Sequence, residues 1–582
     1  MPWTQTINPL GSPGLSALVA ALPVLFFLFA LAVLRIKGYA AGLITLALAL
    51  LVAVFAHGMP VRLALLSTLY GALFGLWPIG WIVVTAVFLY NLAVKTGQFE
   101  VIKDSIASLT DDRRLQALLI AFSFGAFLEG AAGFGTPVAI TAAMLVGLGF
   151  NPLYAAGICL IANTAPVAWG AVGIPILTAG AVTGLDAMAI SRMVGRQLPL
   201  LSVFIPFWLV LVMSGWKGTK EVWPAVLVTG AAFAGMQWFS SNYLSPMLPD
   251  ILSSLFSILA LVFLLRFWRP QKAWRFPGER PAPEAAGFFR HSPAAVLSAW
   301  TPFIVLTILI GDWGVKPVKA LLDRVNFTVP FPGLNWMIVV DGKPLEVVFN
   351  FNWLSATGTA ILIAALISAF TLQVGAAQFL RIFVSTLKTL RYALLTIALV
   401  LGFAFLANWS GMTPTIGRAF TAAGFFFPFL SAFLGWLGVF ITGSDTSANA
   451  LFGKMQQVTA ETMGINPVLT VAANSSGGVV GKMISPQSIV VGTSSTGLSG
   501  REGDLFRFTL PHSIVFGSLV GLITMLQAYV FPGVIPPAAR AGAAAPAAAG
   551  TGPLILMLTA IVILLLMMFA SPRLAVLEAR EE

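Results

Sequence analysis

Glu129 is an acidic residue stranded in apolar sequence, Phe127-Leu128-Glu129-Gly130-Ala131-Ala132-Gly133-Phe134-Gly135-Thr136-Pro137, with no other charge between Arg114 and Asp186. An ionised group at the centre of a bilayer costs about 2.5–3.5 kcal/mol even on the lenient insertion scale, so it needs a function or a partner. Apolar, partly dry surroundings favour the neutral form of a carboxyl, which suits Glu129 to carry a coupling proton. The competing reading is a structural carboxylate capping a re-entrant turn. Asp445 stands in Thr442-Gly443-Ser444-Asp445-Thr446-Ser447-Ala448-Asn449, the equivalent part of the second half of the chain. Asp before small polar residues is also a helix N-cap pattern, so proton coupling, anion binding and simple capping all remain open there.

A small carboxylate held at low dielectric requires a countercharge or several N–H donors. Lys482, in Val480-Gly481-Lys482-Met483-Ile484-Ser485-Pro486-Gln487, interrupts the stretch richest in Gly and Ser and is the first candidate for that countercharge. Lys454 and Arg418 are the other cations of the region, and any of the three can instead snorkel to an interface. Asn163, Thr164, Asn474, Ser475, Ser476 and Gln487 can hydrogen-bond a carboxylate and a neighbouring hydroxyl, or equally satisfy the backbone of a broken helix. Gly130 and Gly133 allow close backbone approach. A half-helix N-terminus near Thr136, or near Thr446, Ser447 and Asn449, offers free N–H groups to an anion.

These residues have to be held by a membrane scaffold. Of 582 residues, 58% are hydrophobic and 9% charged, against roughly 25% charged in a soluble domain. Apolar runs near the length of about 20 residues that spans a bilayer recur from residues 15–34 to 553–571, which predicts roughly 12 to 14 helical passes. The runs are apolar all round, without the alternation of a β-barrel strand. The formal charge of +11 comes from basic residues in short loops, as the positive-inside rule predicts, and does not point to nucleic acid. The single Cys159 excludes an intrachain disulfide framework, and His57, His291 and His512 are too scattered for a two-histidine zinc motif. No metal or organic cofactor is expected. The first run lacks a basic n-region and precedes Arg35 and Lys37, which fits an uncleaved first span with its N-terminus outside.

Two regions, residues 123–182 and 409–500, are crowded with Gly, Pro, Asn, Ser and Thr. They share an internal repeat: Gly149-Phe150-Asn151-Pro152-Leu153 matches Gly464-Ile465-Asn466-Pro467-Val468, and Asn163 and Asn474 each stand twelve residues before a proline, Pro175 and Pro486. The interval from Asn-Pro to the second asparagine differs by four residues, one helical turn. Paired Gly/Pro-interrupted apolar segments in the two halves of a chain point to the binding site of a transporter. The chain divides into a first transmembrane half (1–265), a cytoplasmic loop (266–297), a second half (298–535) with an extracytoplasmic loop (312–352), an Ala/Pro linker (536–552), and a last span and tail (553–582). Within the outer loop, Trp336–Val340 and Leu345–Phe349 flank Asp341-Gly342 as a β-hairpin would. Residues 62–96 can cross once with a break at Trp77-Pro78, or twice.

The chain resembles the bacterial lactate permeases, the group that includes glycolate permease. The likeness runs from about residue 10 to 571 and rests on three strings: Gly125-Ala-Phe-Leu-Glu129-Gly-Ala-Ala-Gly133-Phe-Gly135-Thr-Pro137, Ala162-Asn-Thr-Ala-Pro166, and Ala473-Asn-Ser-Ser-Gly-Gly-Val-Val-Gly-Lys482-Met-Ile-Ser-Pro-Gln487-Ser. The resemblance implies a proton-coupled symporter of L-lactate and similar 2-hydroxy monocarboxylates, among them glycolate and D-lactate, in the bacterial inner membrane. It also implies kinship with a superfamily whose folds carry two inverted repeats with broken or re-entrant helices and elevator-like movement. The loop at Arg266–Arg290 and the Ala/Pro linker depart from the matched pattern. The nearest rival is a sodium-coupled carrier of di- or tricarboxylates, since unwound Asn/Ser/Thr backbone can ligate sodium. A membrane enzyme is disfavoured, because neither H-E-x-x-H nor G-x-S-x-G occurs. A channel is disfavoured because the motifs are irregular. The expected partners are the carboxylate and membrane lipid, and monomer and homodimer both stay open.

Overall fold

The two Asn-Pro pairs start two helices in the same way. The Asn151 side chain accepts from the amides of Leu153 and Tyr154, and Asn466 accepts from Val468, each followed by a proline whose missing N–H costs the first turn nothing. The helices they start, Pro152–Ala162 and Pro467–Gly481, are 11 and 15 residues long. The second helix is thus one turn longer, while its interval from Asn-Pro to the second asparagine is four residues shorter. The two asparagines therefore do not correspond in conformation, since Asn163 caps the end of its helix while Asn474 is two turns inside its own.

A computed structural model describes residues 2–276 and 291–538, apart from Val33, Arg35, Phe134 and Asp341. Ten helices among the described residues are long and apolar enough to cross a membrane, or up to eleven if the bent pair Pro152–Ala162 and Val167–Thr183 forms one span; this pair meets at 64°. The last expected span, 553–571, and most of the Ala/Pro linker lie outside the described residues, as does most of the Pro-rich loop.

In each repeat a helix turns back at a glycine into a second helix. Gly125–Ala131 leads through Gly133 and Gly135, both with positive φ, into Thr136–Gly147; Phe427–Thr442 leads through Gly443 at φ 69° into Asp445–Thr462. The Asn-capped helix follows in each case, then a break, then another helix: Gly170–Thr183 in the first repeat and Pro486–Ser495 in the second.

Packing between the repeats is reciprocal. Gly170–Thr183 lies on Asp445–Thr462, and Pro486–Ser495 lies on Thr136–Gly147. Likewise Ala187–Val194 packs on Pro467–Gly481, and Glu502–Tyr529 packs on Pro152–Ala162. The two Asn-capped helices do not pack along each other. Pro152–Ala162 touches the turn Lys482–Ile484 that ends its counterpart, and Pro467–Gly481 touches the turn Val167–Trp169 that follows the other. They therefore meet tip to tip, as two inverted repeats require.

Small residues set the closest contacts. A Cβ on Gly477 would strike the carbonyl of Ala432, one on Gly481 that of Trp436, and one on Gly71 that of Leu401, so these small-x-x-x-small pairs bring backbones together. Val61–Phe74 and Trp81–Lys95 run in series along the 35-residue helix Ala376–Ser410. Gly71 faces Leu401, Gly75 faces Ile397, Gly80 faces Leu394, and Asn91 donates to Thr386 at 2.9 Å. The segment 62–96 is thus bent, with Trp77 extended at φ −138°, and does not fold back as two antiparallel passes.

The expected hairpin forms over a shorter length. Ile338–Val340 pairs antiparallel with Lys343–Pro344, and Trp3–Thr4 adds a parallel edge. The second arm then parts company, and Val348–Phe351 pairs with Phe327–Pro330.

Candidate functional site

The helix tips converge on Glu129. Its helix ends two residues later, leaving the carboxylate next to the broken segment after Ala162. Lys482 Nζ, on the first residue beyond the Pro467–Gly481 helix, lies 2.7 Å from Glu129 Oε1, and Asn163 Nδ2 donates to Oε2 at 3.0 Å. Both charged side chains are buried, with relative exposures of 8% for the lysine and 4% for the glutamate. The backbone makes room for the pair. Gly170 approaches so closely that a Cβ there would lie 2.5 Å from Glu129 Oε1. Ala171, Val172 and Gly173 then turn left-handed at φ 44°, 61° and 76°. A β-branched residue in that region is strained, and such strain persists only where surrounding packing imposes it.

Asp445 is the first residue of its helix, but it is not the cap. Ser444 takes that role, accepting from the Ser447 amide at 3.2 Å, so the Asp445 carboxylate is free to turn inward. Ser475 donates to Asp445 Oδ2, and Asn449 Nδ2 approaches the same oxygen at 3.3 Å. A polar chain continues from there: Asn474 Nδ2 donates to Asn449 Oδ1 at 2.9 Å, Gln456 Nε2 to Asn474 Oδ1 at 3.2 Å, and Ser431 Oγ to Gln456 Oε1 at 2.8 Å. Asn449 also donates to the carbonyl of Pro175 at 3.1 Å, tying this chain to the broken helix of the first repeat.

Asp250 belongs to the same region, though the motifs do not reveal it. It opens the helix Pro249–Phe267, is buried, and packs against Gly130, whose Cβ would stand 2.6 Å from its own. A sequence signal existed, because Asp250 is the one acidic or basic side chain between Glu221 and Arg266. Its place at the mouth of an apolar run makes it look like an ordinary first-turn acid.

The remaining candidates separate. Gly133 packs on Ala171, and Thr164 is buried beside Asn163 with its hydroxyl unpartnered among the described residues. Thr136, Thr446 and Ser447 are half-buried at their helix starts. Ser476 faces elsewhere, donating at 2.7 Å to Gln197 Oε1, whose amide in turn donates to Gln527. Gln487 is exposed and lies against Gly443, its amide 3.4 Å from the Ile441 carbonyl. Of the three cations, Arg418 is exposed and Lys454 donates to Gln457 within its own helix, while Lys482 alone reaches Glu129.

One of the three buried carboxyls, Glu129, holds the ammonium of Lys482, and several acceptors of the cluster are unused. Asn163 Oδ1, Asp445 Oδ1 and both Asp250 oxygens find no partner among the described residues. Buried polar groups are nearly always satisfied, so this arrangement can take up a small ligand rich in hydrogen-bonding groups, protons, or both. The sequence profile of the family described as L-lactate permease matches residues 16–531, a stretch that contains every residue of this cluster. The chain belongs to the L-lactate permease family. Glycolate permease GlcA of Escherichia coli K12 is 54% identical over 555 residues, covering 92% of this chain and 99% of its own. The L-lactate permeases of Bacillus subtilis 168 and E. coli K12 are 54% and 51% identical, each over 92% of this chain and 100% of theirs. These relatives are permeases, and with its many apolar spans this chain is likewise a multi-pass membrane transporter of the permease family.

Proposed function

We propose that this permease carries L-lactate and related small 2-hydroxy monocarboxylates, glycolate and D-lactate included, across the bacterial inner membrane together with a proton. The names of the relatives support the substrate class. The observation that carries the coupling is the pair formed by Lys482 and Glu129, 2.7 Å apart and buried.

An incoming carboxylate needs Lys482, and Glu129 already holds it. If the substrate displaced an ionised Glu129, two anions would share one cation at low dielectric, at an effective cost of several kcal/mol for the uncompensated ion. A proton on Glu129 removes that cost, frees the ammonium, and leaves Lys482, the substrate and Glu129 with no net charge between them. Substrate and proton therefore enter together. The unused acceptors Asn163 Oδ1 and Asp445 Oδ1 suit a donor next to the carboxylate, which a 2-hydroxyl supplies.

The test is labelled lactate uptake into proteoliposomes. An inward pH gradient should drive accumulation above equilibrium. Uptake that ignores the pH gradient and follows an imposed sodium gradient instead would replace this reading with a sodium-coupled one.

A further inference from the structure

Among the buried carboxyls of the site, Asp250 is the one without any hydrogen-bond donor. Glu129 has Lys482 and Asn163, and Asp445 has Ser475 and Asn449. Neither oxygen of Asp250 has a partner among the described residues, although the residue is only 1% exposed. Among the described residues, the elements packed most closely on its helix bring no cation to it. Gly125–Ala131 carries Glu129, Ala117–Phe124 and Trp223–Phe239 carry no ionisable side chain, and Ser240–Leu244 carries only Tyr243, which is exposed. Lys482, from the second repeat, is bonded to Glu129.

One ammonium cannot neutralise three carboxylates in a dry site, and the carboxyl with no donor is the worst place for a negative charge. Asp250 therefore keeps a proton while Glu129 occupies Lys482. The residue next to Glu129, Gly130, touches Asp250, so the two acids stand on facing elements.

We propose, building on the proton-coupled reading above, that Asp250 holds the coupling proton in the substrate-free protein and passes it to Glu129 when a substrate carboxylate takes Lys482. In that step the O–H bond of Asp250 breaks and one forms on a Glu129 oxygen, while the electron pair stays on Asp250. Lys482 and the substrate then form a neutral pair and Glu129 is neutral. The Asp250 carboxylate regains a proton from the outer solution and Glu129 gives its proton up on the inner side as the substrate leaves and Lys482 returns to it, so one proton enters with each substrate anion.

The experiment uses the full chain in liposomes and two assays. Exchange of labelled for unlabelled lactate at equal pH moves no net proton, whereas accumulation driven by a pH gradient does. Asp250→Asn keeps the shape of the neutral acid but cannot release a proton. It should slow driven accumulation on the order of 100-fold, within the range of a lost proton-transfer group, and slow exchange much less, because exchange can proceed with a proton already on Glu129. Accumulation at the wild-type rate overturns the proposal, and so does an equal loss of exchange and accumulation. A second measurement needs no variant. An apolar carbodiimide, which attacks protonated buried carboxyls, should label Asp250 of the substrate-free wild type, less so as pH rises; labelling of other buried acids without Asp250 overturns it. If the wild type itself ignores a pH gradient, the coupled reading fails. If the wild type responds and Asp250→Asn responds equally, only the role of Asp250 fails.

Discussion

Lys482 and Glu129 stand 353 residues apart in the chain, one from each repeat, and form a single buried ion pair at 2.7 Å. Removing one member of such a pair strands the other. Lys482→Met should destabilise the protein by about 3–5 kcal/mol, and adding Glu129→Gln should recover much of that loss, because a buried pair often costs little more than the apolar residues that replace it. Thermal unfolding of the detergent-solubilised single and double variants measures this. Equal stability of Lys482→Met and wild type would show that the pair does not form.

Glu129→Gln leaves the carboxamide uncharged, so Lys482 is available but no proton can be carried. Uphill lactate accumulation in proteoliposomes should vanish. Retained accumulation clears Glu129 of the coupling role.

Ser475→Ala withdraws the hydroxyl that donates to Asp445 Oδ2 and leaves that carboxylate with Asn449 alone. The cost should be about 1–3 kcal/mol of stability, the desolvation penalty of an under-satisfied buried group. Ser475→Thr, which keeps the hydroxyl, serves as the control for packing. If the alanine variant melts with the wild type, the Ser475 bond contributes nothing.

Gly477→Ala should destabilise by at least about 1–3 kcal/mol, because its methyl would meet the Ala432 backbone and force the two helices apart. Gly235→Ala meets nothing within 4 Å, lies in the interior of the helix Trp223–Phe239, and should stabilise by roughly 0.5–1 kcal/mol. Comparison of the two melting shifts separates close packing from helix propensity.

Arg114 is fully buried, bonded to Asp112 at 2.7 Å, to Glu221 at 2.8 Å and to the Gly218 carbonyl at 2.9 Å. Arg114→Lys loses the planar fork that serves all three partners, and Arg114→Met strands two acids. Losses of about 3–5 kcal/mol are expected for Met, with Lys between Met and wild type, read as melting temperature in detergent. A lysine variant as stable as wild type would mean that charge alone suffices there.

Much of the fold was legible because membrane physics writes it into composition. Runs of apolar residues, the Asn-Pro starts, and glycines at each turn-back follow from local rules of length, capping and backbone freedom, and the element boundaries fall at Asn151, Gly443 and Asn466 as those rules require. Glu129 and Lys482 were legible for the same reason: a charge in apolar sequence is conspicuous. Their contact was not, since nothing local fixes how two helix tips from different repeats meet.

The sequence by itself determined the membrane-helix class, the duplicated broken unit and the acids, amides and lysine available for chemistry, because burial cost and backbone conformation act residue by residue. Only the tertiary structure decided which of them share a site. It drew in Asp250 through Gly130, turned Ser476 toward Gln197, left Gln487 exposed, and gave the capping duty to Ser444 so that Asp445 could face inward. Those outcomes depend on the reciprocal packing of the repeats, where the direction of a side chain is set by a neighbour hundreds of residues away.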